Sequence, residues 1–243
     1  MEFPTPLFEA RLIKRYKRFL ADVEMRTGPD AGQMITVHCP NPGSMMGLAR
    51  PGATIWVSKS SNPKRKLAYT YELEQVDGPG EPAIVGINTM HPNKLAEEAI
   101  RIGLLPELGP IGTIVREQKY GQNSRIDLLL AGPDGSDTYV EVKNVHLMRE
   151  AGHLEFPDSV TARGAKHLGE LASMVEQGHR SVLVFIAQWP HAKTLGLARD
   201  LDPAYGRAMD DAVGRGVEVY AVDCLPSLEG IQPRGRIQVV LDA

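Results

Sequence analysis

The chain is short of cysteine, of aromatics, of long apolar runs and of net positive charge, and each shortage narrows what it can be. Its two cysteines, Cys39 and Cys224, lie far apart in sequence without metal-ligand spacing. That argues against a disulfide scaffold and fits a reducing cytoplasm. Aromatic residues make up only 6% of the chain, a little below the usual share. No apolar run approaches the roughly 20 residues that cross a bilayer. The opening MEFPTPLFEA has no basic leader followed by an apolar stretch, so no secretory signal is expected. A formal net charge of −3 excludes a uniformly basic nucleic-acid binder but leaves room for a local basic patch. Repeats and low-complexity segments are missing too. A cytoplasmic protein with no membrane partner is expected, and 243 residues suit one large domain or two modest ones.

Two textures divide the chain into residues 1–88 and 89–243. In the first, short alternating runs are broken by Gly, Pro and Asn: Leu7–Ile13, Phe19–Met25, Met34–His38, Thr54–Ser58, Leu67–Gln75 and Ala83–Ile87. Strands at this spacing predict a small barrel or sandwich, with a five-stranded oligonucleotide-binding (OB) barrel the preferred version. In the second, Pro92–Gly103 reads as a helix and Thr113–Tyr120 as a strand. Asp158 and Ser159 are candidate N-caps for a helix reaching Glu176. Ser181–Ala187 is a buried strand, Tyr205–Arg215 a helix and Val217–Val222 a further strand. This order predicts an α/β domain whose mixed sheet joins an antiparallel hairpin to parallel crossover strands.

Asp127, Glu141 and Lys143 are the most informative residues. Arg125–Leu130 and Thr138–Lys143 flank a segment dense in turn formers, Gly132 to Asp137. A turn centred near Asp134 sets Asp127 opposite Glu141, with Lys143 two residues along on the same side. Ile126, Leu128, Val140 and Val142 then enter a core. Two carboxylates can hold a hard cation such as Mg²⁺ or Mn²⁺ and leave positions for water and a phosphate oxygen. Lys143 could orient or deprotonate that water or stabilise developing charge. The competing reading is a solvated hairpin face with no further role.

Arg15, Lys17 and Arg18 lie in a dense basic stretch with Tyr16 and Phe19 interleaved, and Lys64, Arg65 and Lys66 form a second one. Through Pro82 there are 11 Lys and Arg against 9 Asp and Glu, while the remainder has 16 against 21. A slightly basic barrel thus joins an acidic second domain. Such stretches could track a phosphate backbone while aromatics stack on bases, against the alternative of charged strand edges. Arg163, Lys166 and His167 share a helix face and could reach a bound phosphate. His38 and Cys39 have no recognisable base and orienting partner; their loop is expected to need Gly43 for its backbone shape. His146 and His153 are read as ordinary polar residues.

The segments RYKRFLADV (15–23), HCPNPGSM (38–45), KYGQNSRIDLLL (119–130), YVEVKNVHL (139–147) and FPDSVTARGAKHLGEL (156–171) resemble the sugar fermentation stimulation protein A family, from about Phe3 to Val222. Pro42 stands where that family usually has Thr, removing a hydroxyl, and Asn144 where it has Ser. The resemblance implies an OB-like barrel followed by a PD-(D/E)XK nuclease-like domain. Asp127 and Glu141-Val142-Lys143 take the motif positions, with Glu98 matching the acidic residue of the preceding helix better than Glu97. Glu117 and His167 become supporting groups. The family is described as DNA-binding and linked to sugar, particularly maltose, metabolism. The expected function is a DNA-binding protein, single-stranded DNA included, with a metal-dependent deoxyribonuclease-like centre. A non-catalytic bacterial regulator and an enzyme acting on a small phosphate ester are the alternatives.

Overall fold

Alternation of apolar and polar residues curls the first part of the chain into a closed sheet. In the computed structural model, which describes residues 1–120, 124–133 and 135–241, six strands form it: β1 (Leu7–Tyr16), β2 (Leu20–Met25), β3 (Met34–His38), β4 (Thr54–Lys59), β5 (Tyr69–Val76) and β6 (Ala83–Gly86). They run in the order β3-β2-β1-β4-β5-β6, and a pairing of His38 with Thr70 joins β3 to β5. Ala10, Leu12, Ala21, Val23, Val37, Ile55 and Val57 point inward and are fully buried, as period-two patterning requires. The sixth strand extends the expected five by pairing along β5.

The second part begins with α1 (Pro92–Arg101), whose Pro lies in the first turn, where its missing N–H costs nothing. Then come β7 (Thr113–Tyr120), β8 (Ser124–Ala131), β9 (Asp137–Val145), β10 (Leu147–Glu150), β11 (His153–Phe156), α2 (Ala162–Glu176), β12 (Arg180–Ala187), β13 (Thr194–Leu197), α3 (Pro203–Gly214), β14 (Glu218–Pro226), β15 (Ile231–Arg236) and β16 (Gln238–Val239). The main sheet has the order β15-β14-β12-β9-β8-β7. Its centre is parallel, β9 and β14 flanking β12, and both edges are antiparallel. A small second sheet, β10-β11-β13-β16, was not expected. Its strands have four residues or fewer, too short to carry a clear alternation.

Both faces of the main sheet are covered. Val182, Val184 and Ile186 of β12 pack with Leu95, Ala96 and Ala99 of α1, where Trp56 and Leu73 of the barrel join them. Leu183, Phe185 and Ala187 face the other way, toward Leu168 and Leu171 of α2 and Met209 of α3. The α2 cap is Thr161, whose hydroxyl accepts the Gly164 N–H, and not Asp158 or Ser159. Asp158 instead ties the domains together, accepting the Met45 N–H at 2.9 Å and the Ser44 hydroxyl at 3.1 Å. Gly43 serves this contact: a Cβ there would stand 2.7 Å from Asp158 Oδ2, so the position needs close approach and not a left-handed backbone. No helix among the described residues is long and apolar enough to cross a membrane.

Candidate metal centre and nucleic-acid surface

The β8–β9 hairpin sets the register of the site. Pairs run from Ala131 opposite Asp137 to Leu128 opposite Val140, the alignment the sequence predicts; the turn centre at Asp134 lies outside the described residues. One step further the backbone ladder gives way to a side chain, and Asp127 Oδ2 accepts the Val142 N–H at 2.8 Å. The other oxygen accepts from Asn93 Nδ2 at 2.9 Å. Ile126, Leu128, Val140 and Val142 are all buried. So is Glu141, only 2% exposed, because β9 is an interior strand with helices over both faces. A solvated hairpin face does not describe this position.

Glu141 Oε1 accepts from Lys143 Nζ at 2.5 Å and from His167 Nδ1. Arg163 Nε donates to His167 Nε2 at 3.3 Å, which leaves Nδ1 to carry the proton toward Glu141. Glu141 Oε2 is buried and accepts no hydrogen bond. Burial raises the Glu141 pKa, but the His167 hydrogen bond and the Lys143 charge outweigh it and hold the carboxyl below its ordinary value. Asp127 goes the other way. Burial, then the neighbouring Glu141 charge, push it up to about 6 despite Val142, Asn93 and Lys143.

Other side chains surround this pair. The Tyr120 and Tyr205 hydroxyls are buried and accept or donate no hydrogen bond. Both are pushed upward, first by burial; Glu141, Glu170 and Asp127 act on Tyr120, and Glu141 and Asp202 on Tyr205. Glu117 is exposed on β7 with φ of +56°, a left-handed backbone that costs a non-glycine residue roughly 1–3 kcal/mol and gathers at functional sites. Asn93 Nδ2 stands 3.4 Å from its carboxylate, so one amide spans Glu117 and Asp127. Sequence reading missed Asn93. Its signal is its place directly after Pro92 in the first turn of α1.

The remaining predicted residues are placed as follows. Glu98 pairs with the amino group of Met1 at 2.7 Å and is not brought to Asp127, while Glu97 pairs with Arg101 and Arg116. Arg15 spends its guanidinium on the carbonyls of Arg18, Asn41, Gly43 and Ser44, so it braces a loop. Lys17 and Arg18 are exposed at the β1–β2 turn, both with positive φ. Lys64 and Lys66 are exposed, and Arg65 donates to His38 Nδ1 at 3.2 Å. Lys166 points outward, 59% exposed, whereas His167 on the same helix points inward. Cys39 is buried against Met45, and burial pushes its thiol pKa up.

The donor set suits a hard divalent cation. Buried carboxylates that repel each other and an orphaned Glu141 oxygen both gain from one. Among the described residues no three His, Cys, Asp or Glu groups converge closely enough to enclose an ion. Asp127 and Glu141 would therefore hold it with water or a phosphate oxygen, as a magnesium-like ion prefers.

Residues 13–87 match the SfsA N-terminal OB domain model, and residues 90–230 the sugar fermentation stimulation protein RE domain model. A sugar fermentation stimulation protein homolog from Azorhizobium caulinodans is 51% identical over 99% of this chain and 100% of its own length. One from Rhizobium rhizogenes is 51% identical over 98% of this chain and 93% of its own. The solved structure of Pyrococcus furiosus SfsA in complex with Ca²⁺ superposes with a TM-score of 0.86 at 28% identity, covering 99% of this chain and 98% of that one. An OB barrel followed by a mixed-sheet α/β domain is the architecture these matches share with the fold described above, and the chain belongs to the sugar fermentation stimulation protein family.

Proposed function

We propose that this protein binds DNA through its barrel and hydrolyses phosphodiesters at Asp127 and Glu141 with Mg²⁺ or Mn²⁺. The observation that carries the proposal is the buried, unaccepting Glu141 Oε2 beside an Asp127 whose pKa is pushed to about 6. Strongly perturbed carboxylates of this kind mark functional sites. The Ca²⁺ held by the Pyrococcus furiosus relative supports a divalent cation here. When bound, such an ion lowers the pKa of a water and neutralises phosphate charge. Asn93 and the Val142 N–H orient Asp127, His167 orients Glu141, and Lys143 brings its ammonium to the attacked phosphate. Exposed Lys17, Arg18, Lys64 and Lys66 follow the backbone, with Arg163 nearer the site. Labelled single- and double-stranded DNA incubated with Mg²⁺ or Mn²⁺ tests this reading. The wild type cleaves and Lys143→Ala does not; equal cleavage by both would expose a contaminant and sink the claim.

The absence of a third converging ligand among the described residues, with Glu98 engaged at Met1, favours one alternative: a non-catalytic DNA-binding regulator of sugar metabolism. It predicts salt-sensitive binding that survives Asp127→Ala, and no cleavage in any metal.

A further inference from the structure

We infer that Phe19, Met46, Met90 and Val160 form one apolar rim at the junction of the two domains, and that this rim takes the unpaired bases of single-stranded DNA. The inference rests on the DNA reading above and deepens it by naming the form of the substrate. All four side chains stand in solvent, Met90 at 76%, Val160 at 74%, Phe19 at 47% and Met46 at 39% exposed. They come from four separate segments, which the loop of residues 38–46 gathers. The Arg15 guanidinium donates to the carbonyls of Arg18, Asn41, Gly43 and Ser44 at 2.8 to 3.3 Å, and so binds the β1–β2 turn to that loop. Phe19 follows Arg18, and its carbonyl accepts the Cys39 N–H at 2.8 Å. Met46 donates its N–H to Ser44 Oγ at 3.2 Å. The Ser44 hydroxyl donates to the Asp158 carbonyl at 2.7 Å, two residues before Val160. The Pro40 carbonyl accepts the Thr89 hydroxyl at 2.7 Å and the Thr89 N–H at 3.1 Å, directly before Met90.

An exposed apolar patch assembled in this way marks a binding surface, and its neighbours identify the occupant. Lys17 and Arg18 precede Phe19 at the tip of the turn, both exposed. Arg163, also exposed, stands three residues past Val160. Cations beside an aromatic ring and two flexible thioethers suit a phosphodiester strand whose bases are turned outward. The cations follow the phosphates while the apolar groups cover base faces. A duplex hides those faces in its own stack, so this rim gains little from it. At its other end the rim meets the carboxylates, since Asn93, three residues past Met90, holds Asp127 at 2.9 Å. A surface that leads to such a site favours nucleic acid over a protein partner.

Fluorescence anisotropy of the full chain in chelated buffer tests the inference, with a labelled thymidine strand, an abasic strand of equal length and a duplex of equal length. Stacking on one side chain raises affinity roughly 5- to 150-fold. The wild type should therefore bind the thymidine strand about tenfold tighter than the abasic one, which carries the same phosphates. Phe19→Ala should lose most of that margin while changing abasic and duplex binding less than twofold, and Met90→Ala should lose part of it. Phe19→Trp gives a direct reading, because Trp56 and Trp189 are buried: the added emission should be quenched by the thymidine strand and not by the abasic one. Equal wild-type affinity for thymidine and abasic strands overturns the rim while the DNA reading stands. Binding of none of the three removes the DNA reading and this inference with it. A dimer in light scattering that Met90→Ala dissociates assigns the rim to a second copy of the chain and also overturns it. Circular dichroism checks the fold of each variant, and Met90→Ala carries the test where Phe19→Ala does not fold.

Discussion

The buried carboxylates Glu72 and Glu74 of the barrel and those around Asp127 and Glu141 in the second domain differ in their surroundings. In the barrel, Glu74 accepts the Ala49 N–H with both oxygens and the Tyr71 hydroxyl besides. Glu72 accepts the Ser58 hydroxyl and the Asn88 amide and meets His91 Nε2 at 2.9 Å. In the second domain Glu141 keeps one oxygen without a partner and Glu170 keeps two. Satisfied acids brace a structure, since every lone pair that lost water has found a donor. Orphaned ones store repulsion that only a ligand relieves, which is why the same residue types read as scaffold in one place and as chemistry in the other.

The largest effect expected from that contrast lies at Lys143. If the second group is chemical, Lys143→Ala removes an ammonium that acts on the transition state. Cleavage should fall about 10³-fold, or about 4 kcal/mol in barrier, in a protein whose circular dichroism shows it still folded. Initial rates on labelled DNA measure it. The barrel acids should behave in the opposite sense. Glu72→Gln leaves cleavage chemistry intact and costs about 3 kcal/mol of stability, because buried donors lose a charged acceptor. Urea melts at pH 7 check this, and a Glu72→Gln protein as stable as the wild type would dissolve the distinction.

Much of this contrast is visible in the sequence, and the hairpin shows why. Period-two patterning and a turn-rich gap fix the register of β8 and β9, so the opposition of Leu128 and Val140 follows without coordinates. Composition likewise separates barrel from α/β domain. What depends on three dimensions stays hidden. Motif matching selects Glu98 by counting along the chain, yet α1 starts at Pro92 and Asn93 in its first turn meets Asp127. Glu98 lies five residues on, about 7.5 Å further along the axis and turned away, where it meets Met1. Arg15 reads as a phosphate ligand until the loop carbonyls it holds are seen. Glu170 carries no signal in the sequence, because the burial of its oxygens comes from packing of α2 on the sheet.

Titration separates the two groups a second time, at smaller magnitude. For Glu72, burial opposes ionisation, but His91, Ser58 and Asn88 prevail and hold its pKa below the ordinary 4.5. Its contribution to stability is present above pH 4.5 and is lost as pH falls through the lower folded value. Asp127 has the reverse sign. Its folded pKa of about 6 stands above the ordinary 3.8, so the native state binds the extra proton between those values and stability drops as pH rises through them. In chelated buffer, Asp127→Asn should therefore be more stable than the wild type at pH 7 by roughly 2 kcal/mol. The advantage should vanish near pH 4, where the Glu72→Gln deficit also shrinks. Thermal melts of both variants from pH 4 to 8 measure the crossing trends, and a pH-independent Asp127→Asn difference would place the origin in packing.

The smallest expected effect divides the basic residues of the barrel in the same way, into those with a structural partner and those without one. Arg15 donates to four backbone carbonyls, so Arg15→Ala should lower stability by about 1–3 kcal/mol and disturb the loop that docks on Asp158. Lys17 and Arg18 are exposed, and replacing both with Ala keeps a Cβ in the same backbone conformation, so the fold should be unaffected. Their loss should appear in DNA binding alone. Each phosphate contact adds about 0.9 to the slope of log affinity against log salt concentration for duplex DNA. Removing two should make that slope shallower by about 2, with little change in preference between sequences. Fluorescence anisotropy from 50 to 200 mM salt would read it. An unchanged slope in the Lys17→Ala, Arg18→Ala double variant would move the nucleic-acid track off this turn, leaving Lys64 and Lys66 to carry it.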